Sequence, residues 1–129
     1  MNELTRLKYL RAALLLFGLI CIFAFWPLTV VWPSGWAWHE AGGSFYLPMI
    51  IGLYATLGVF LVIASRNPLA HRSLIWFAVW SSIVHAGIMA VQSFTHPEHA
   101  GHLVGDVPAL LIMGVVLAVL MPRGRQPAG

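Results

Sequence analysis

The sequence predicts an all-α integral membrane protein: a four-helix bundle of up-down topology with both termini on the cytoplasmic side. Three observations carry this. Four apolar runs, at about 12–31, 45–64, 74–94 and 103–121, are each near the 20 or so residues needed to cross a hydrocarbon core as a helix. Only 9% of the 129 residues are charged while 60% are hydrophobic, and the mean hydropathy is +0.84. All seven Lys and Arg residues fall before the first run (Arg6, Lys8, Arg11), between the second and third (Arg66, Arg72) or after the fourth (Arg123, Arg125). If all four runs span, those three segments share a face, and basic segments stay cytoplasmic. The other two connections carry His39, Glu40, His96, Glu98, His99 and His102 and no Lys or Arg.

Four spans consume most of the chain, so residues 1–129 are read as a single transmembrane domain with helices at about 10–31, 45–65, 74–94 and 103–121. Helix 1 has a basic leader, but its apolar stretch exceeds that of a signal peptide and no clean cleavage site follows. It is read as retained. Trp26-Pro27 should kink or end it, since proline lacks the N–H and crowds the preceding turn. Trp26, Trp32, Trp36 and Trp38, with Phe45 and Tyr46, read as an interfacial aromatic belt, and Pro33–Ser44 as a surface loop. Helix 2 is stopped by Arg66-Asn67-Pro68, and the short inner loop makes helices 2 and 3 antiparallel neighbours. Helix 3 carries a small-residue stripe (Ala78, Ser82, Ala86, Ala90), and helix 4 carries Gly105/Ala109 and Gly114/Ala118. Both predict close helix approach.

The net charge of +3 is spread over three short flanks. It reads as a topology determinant with weak attraction to anionic lipid, not as a nucleic-acid surface. The single cysteine, Cys21, excludes an intrachain disulfide and a Cys-based metal site. There is no nucleophile–base set and no phosphate loop, which argues against a conventional hydrolase or kinase.

Polar chemistry concentrates in the third hairpin. His85 and Gln92 share a face of helix 3, and His99, His102 and Asp106, three and four apart, share another. Ionisable groups inside a membrane are costly and need a partner. For a hairpin turning near residues 95–96, His85 is level with Asp106 and Gln92 with His99. At about 1.5 Å per residue, His85 is then about 13–15 Å below the turn. A direct His85–Asp106 pair is the expectation that follows. The competing reading makes Asp106, ahead of Val107-Pro108, the N-cap of helix 4. His96, Glu98 and His99 also fit a solvated loop, and His71 an interfacial side chain.

Three functions fit these residues. The first is a structural or accessory bundle whose polar groups fix packing. The second is binding of a metal, haem or quinone headgroup at the outer His/Asp cluster, although the spacing matches no established metal signature. The third is a small transporter or proton path, which four helices could supply only as an oligomer. The expected partners are the lipid bilayer and further copies of the chain or a larger membrane complex.

The stretches His85-Ala86-Gly87-Ile88-Met89-Ala90-Val91-Gln92, His102-Leu103-Val104-Gly105-Asp106-Val107 and Met121-Pro122-Arg123 resemble a bacterial family of small four-helix membrane proteins of unknown function. Pro27-Leu28 and Tyr46-Leu47-Pro48-Met49 are similar in style. The resemblance implies the same fold and a bacterial inner-membrane setting, and it implies no activity, ligand or site.

The charge pattern predicts that reporter fusions after Met121 read as cytoplasmic and fusions near Gly42 or Gly101 as extracytoplasmic. An external C-terminus would overturn the topology.

Overall fold

The computed structural model describes residues 2–38 and 44–123. His39, Glu40 and Arg125 lie outside the described residues. Within them the chain is helical throughout, with no strand. Helix α1 spans Glu3–Phe23, and the Asn2 side chain accepts the Thr5 N–H at 2.8 Å and caps the first turn. Arg6, Lys8 and Arg11 therefore sit on the helix itself. The expected kink occurs, one turn ahead of Pro27: α1 ends at Phe23 and α2 (Phe25–Val31) leaves at 54°. The proline ring crowds the carbonyl four residues back, which is that of Phe23.

Pro33 then opens a short helix α3, Pro33–Trp36, inside the segment expected to be loop; proline's fixed φ suits a first helical position. Helix α4, Tyr46–Arg66, tolerates Pro48 in its first turn and ends just before Pro68. A 3-10 turn, Pro68–His71, leads into α5, Arg72–Thr95. His96 is extended (φ −126°, ψ 98°), as a residue before proline must be. The last apolar run departs from expectation: Pro97–Val104 is 3-10 helix and only Asp106–Leu120 is α-helix, α6.

Backbone-to-backbone approaches hold these elements together. α1 packs most closely on α4. A Cβ at Gly58 would lie 2.5 Å from the Gly18 carbonyl oxygen, and one at Gly18 would lie 2.8 Å from the Gly58 carbonyl oxygen. α5 packs on α6: Ala78, Ser82 and Ala86 of its small stripe are fully buried, and a Cβ at Gly114 would lie 3.2 Å from the Val79 carbonyl oxygen. Ala90 is half-buried. A third approach joins the 3-10 segment Pro97–Val104 to α3, where a Cβ at Gly101 would meet Ser34 O at 2.5 Å and one at Gly105 would overlap Gly35. Runs of 3-10 helix beyond three or four residues are uncommon. This one is supported from outside by α3.

At the opposite end two arginines reach carbonyls at and just beyond the end of α6. Arg6 of α1 donates to Val119 O and Arg72 of α5 to Pro122 O, each at 3.1 Å. Cations at a helix C-terminus complement its dipole. The three basic segments thus meet at one end, with the His-rich connection at the other. Three helical stretches are long and apolar enough to cross a membrane, and the bent pair α1–α2 makes a fourth if counted as one span. Their outward faces carry exposed Leu53, Phe60, Phe77, Trp80, Val91 and Ile112.

Gly58→Ala is expected to lower stability by about 1–3 kcal/mol through overpacking against α1, and Ala86→Leu by a similar amount. Gly52→Ala, where a Cβ meets nothing within 4 Å, is expected to gain up to about 1 kcal/mol from helix propensity. Thermal unfolding in mild detergent checks all three, and equal melting temperatures would overturn the packing account.

Candidate functional site

The polar residues at the end opposite the basic segments form two side-chain clusters, each built from several elements. The first centres on Asp106, the opening residue of α6. The N-cap position falls on Gly105, and the Asp106 side chain makes no capping bond. Its Oδ2 instead accepts the Trp38 indole N–H at 2.7 Å, and its Oδ1 is 3.0 Å from His102 Nδ1. An indole N–H only donates and an ionised carboxylate only accepts, so the bond from Trp38 has one direction. Both His102 and Asp106 are buried. Trp38 also stacks on His102 (centroids 3.8 Å, planes 23° apart) and on His99 (4.8 Å, 26°). The cluster therefore ties the chain beyond α3 to the 3-10 segment and to the start of α6.

The second cluster pairs α4 with α5. Tyr54 Oη and His85 Nδ1 are 2.6 Å apart and share a hydrogen. The Tyr54 ring lies 5.2 Å from Phe25 and Phe25 lies 5.5 Å from Trp36, both tilted, so an aromatic row runs from His85 back to α3.

The expected direct His85–Asp106 pair is thus corrected. Each group has another partner: the phenol for the imidazole, and Trp38 with His102 for the carboxylate. The equal-depth estimate treated the descending limb as α-helix, whereas eight of its residues rise as 3-10 helix. The two groups still line one small cavity of about 50 Å³.

A larger recess of about 520 Å³ lies between α4 and α5 at their His-rich end. Its polar wall comprises His85, Gln92, His96, Glu98 and His99 with the Trp38 ring; Leu47, Ile50, Ile88 and Met89 supply an apolar wall. Of the five residues singled out from the sequence, His85, Gln92 and His99 line this recess, while His102 and Asp106 lie behind it in the buried cluster. Among the described residues no three His, Cys, Asp or Glu side chains are arranged to hold a metal ion.

Two participants were missed by sequence reasoning. Trp38 was grouped with the interfacial aromatics; Trp26 and Trp32 are indeed exposed, but Trp38 is a hydrogen-bond donor to a buried acid. Tyr54 was not singled out, although a phenol in mid-helix among apolar residues needs a partner.

Trp38→Phe keeps a ring for stacking and removes the N–H bonded to Asp106. We expect a loss of about 1.5–3 kcal/mol, the usual worth of a hydrogen bond to a charged group. Asp106→Asn should cost much less in that background than in the wild type. Additive losses in thermal unfolding would show that this bond carries no weight.

No curated protein and no solved structure matches the chain. A family model does, over residues 4–126, nearly the whole length. The chain therefore belongs to a family of unknown function (DUF6632).

Proposed function

We propose that the protein is a small multi-pass membrane protein that crosses a bacterial inner membrane four times, with both termini cytoplasmic, and that its outer recess binds a small amphipathic molecule with a planar hydrogen-bonding headgroup of the quinone class. The span lengths, the exposed apolar faces and the gathering of Arg6, Arg72 and Pro122-Arg123 at one end support the membrane reading. The bent pair α1–α2 serves as the first span in this reading.

The observation that carries the ligand reading is the composition of the recess. A site for an amphipathic ligand is a mostly apolar concavity with a few convergent polar groups. Here Ile50, Ile88 and Met89 offer an apolar wall, while His85 and Gln92, seven apart on α5, offer hydrogen-bonding groups on one side. His85 suits a headgroup that exchanges carbonyl for hydroxyl. Its Nδ1 is occupied by Tyr54, and the phenol can donate to or accept from that nitrogen. The remaining ring nitrogen can therefore present either a hydrogen or a lone pair.

The accessory-bundle reading fits the other cluster. Asp106, His102 and Trp38 are engaged with one another and buried, so they fasten the outer half. Gln92, His96 and Glu98 are exposed along the recess, and a purely structural role leaves them without a purpose.

Decylubiquinone titrated into the detergent-solubilised protein tests the proposal. Saturable thermal stabilisation is expected, amounting to about 2.7 kcal/mol at a hundredfold excess over the dissociation constant. Ile88→Trp, which fills the recess, should weaken binding at least tenfold. Absence of saturation, or an equal response from the filled variant, would overturn the reading.

A further inference from the structure

The small cavity behind the recess carries an inference independent of any ligand in front of it. It lies between α2, α3, α4, α5 and the start of α6, and its volume is about 50 Å³. Much of its wall is apolar (Phe25, Ile51, Leu110), yet six polar side chains also line it: Thr29, Trp36, Trp38, Tyr54, His85 and Asp106. The Trp36 indole nitrogen is buried and has no hydrogen-bond partner among the described residues. An indole can only donate, and a buried N–H left unmade is expensive enough that such groups almost always find an acceptor.

We propose that this cavity is a hydration site, in which water bridges the Trp36 indole N–H to the Asp106 carboxylate and the Tyr54 hydroxyl. The volume exceeds what a single water requires, and a buried water needs two to four polar partners. Those partners are present and have capacity. Each Asp106 oxygen accepts one bond already and keeps a second lone pair. Tyr54 uses one of its two hydrogen-bonding roles on His85. Thr29 donates to the Trp26 carbonyl at 2.6 Å, which leaves its oxygen free to accept. Purely apolar cavities stay dry, but this one has an acidic acceptor on one wall and an orphaned donor on another.

The consequence is a continuous hydrogen-bonded network. It begins at His85 on the recess wall, passes through Tyr54 and the bridging water, and ends at Asp106 with His102 and Trp38. Two side-chain pairs that do not touch become one unit, joined across the space between α3, α4 and α6. His85 borders both the recess and the cavity, so a change of hydrogen bonding in the recess is passed to the buried carboxylate.

Nuclear magnetic resonance of the full chain, with 15N-labelled tryptophan, in detergent micelles tests this. The protein has six tryptophans, and Trp36→Phe assigns the indole in question; backbone-linked labelling assigns it if that variant does not fold. In a rotating-frame experiment the Trp36 indole proton is expected to show a cross-relaxation peak to water, with the sign of dipolar contact and not of chemical exchange. The exposed indoles of Trp26 and Trp32 serve as internal controls for exchange with bulk water. The Trp36 peak should fall at least fivefold in Thr29→Leu, which fills the cavity. Absence of a water peak at Trp36, or a peak of exchange sign alone, would overturn the proposal. Neither result bears on whether a quinone binds in front.

Discussion

Asp106 is a buried carboxylate at the head of a fifteen-residue apolar helix, and the His-rich half of the molecule is arranged to satisfy it. A buried acid that loses its donors costs several kcal/mol or is expelled. Its own helix supplies none of them: Pro108 has no N–H, and the Ala109 N–H is bonded to Gly105 O. They come instead from Trp38, which the chain brings back after α3, and from His102 in the 3-10 segment. Satisfying one charge therefore fixes the positions of three otherwise separate segments. The long 3-10 run, irregular alone, has α3 as a surface to lie on.

The same segments could not approach so closely with ordinary side chains. Gly101 and Gly105 let the 3-10 backbone rest on Ser34 and Gly35, and Gly18 with Gly58 bring α1 onto α4. Where helices are apolar on all sides, burial against a partner gains little over burial in lipid, and close van der Waals packing takes over as the cohesive force. The glycines matter here for the backbone separation they permit. None is needed for its φ.

Much of the fold was legible because its causes are local. Apolar run length, the prolines at 68 and 97, and the basic residues each act within a few positions, and the helix limits at Arg66 and Thr95 follow from them. The site was less legible because its partners come from different helices. The mirror argument that set His85 level with Asp106 was applied to the outer hairpin, where the descending limb is not α-helical. The inner hairpin is regular on both limbs: Tyr54 lies twelve residues before Arg66 and His85 thirteen after Arg72. The same reasoning about that hairpin brings phenol and imidazole to one level, which is the pair observed. Trp38 had no such handle, since no periodicity runs through the connection that holds it.

The recess follows from how the helices are shared out. α4 is claimed along its length by α1, and α5 by α6, with glycine or small-residue contacts on both sides. α4 and α5 are joined by the short turn at Pro68–His71 and touch each other little beyond it. Two helices tied at one end and drawn to different partners diverge toward the other. What spans the gap midway is the Tyr54–His85 bond, and beyond it the space opens between Leu47 and Ile50 on one wall and Ile88 and Gln92 on the other. His85 lines the recess, while its partner Tyr54 lies behind, on the wall of the small cavity. His85 thus borders the recess while held from behind by a hydrogen bond whose direction can reverse, which gives a pocket made by packing its chemical character.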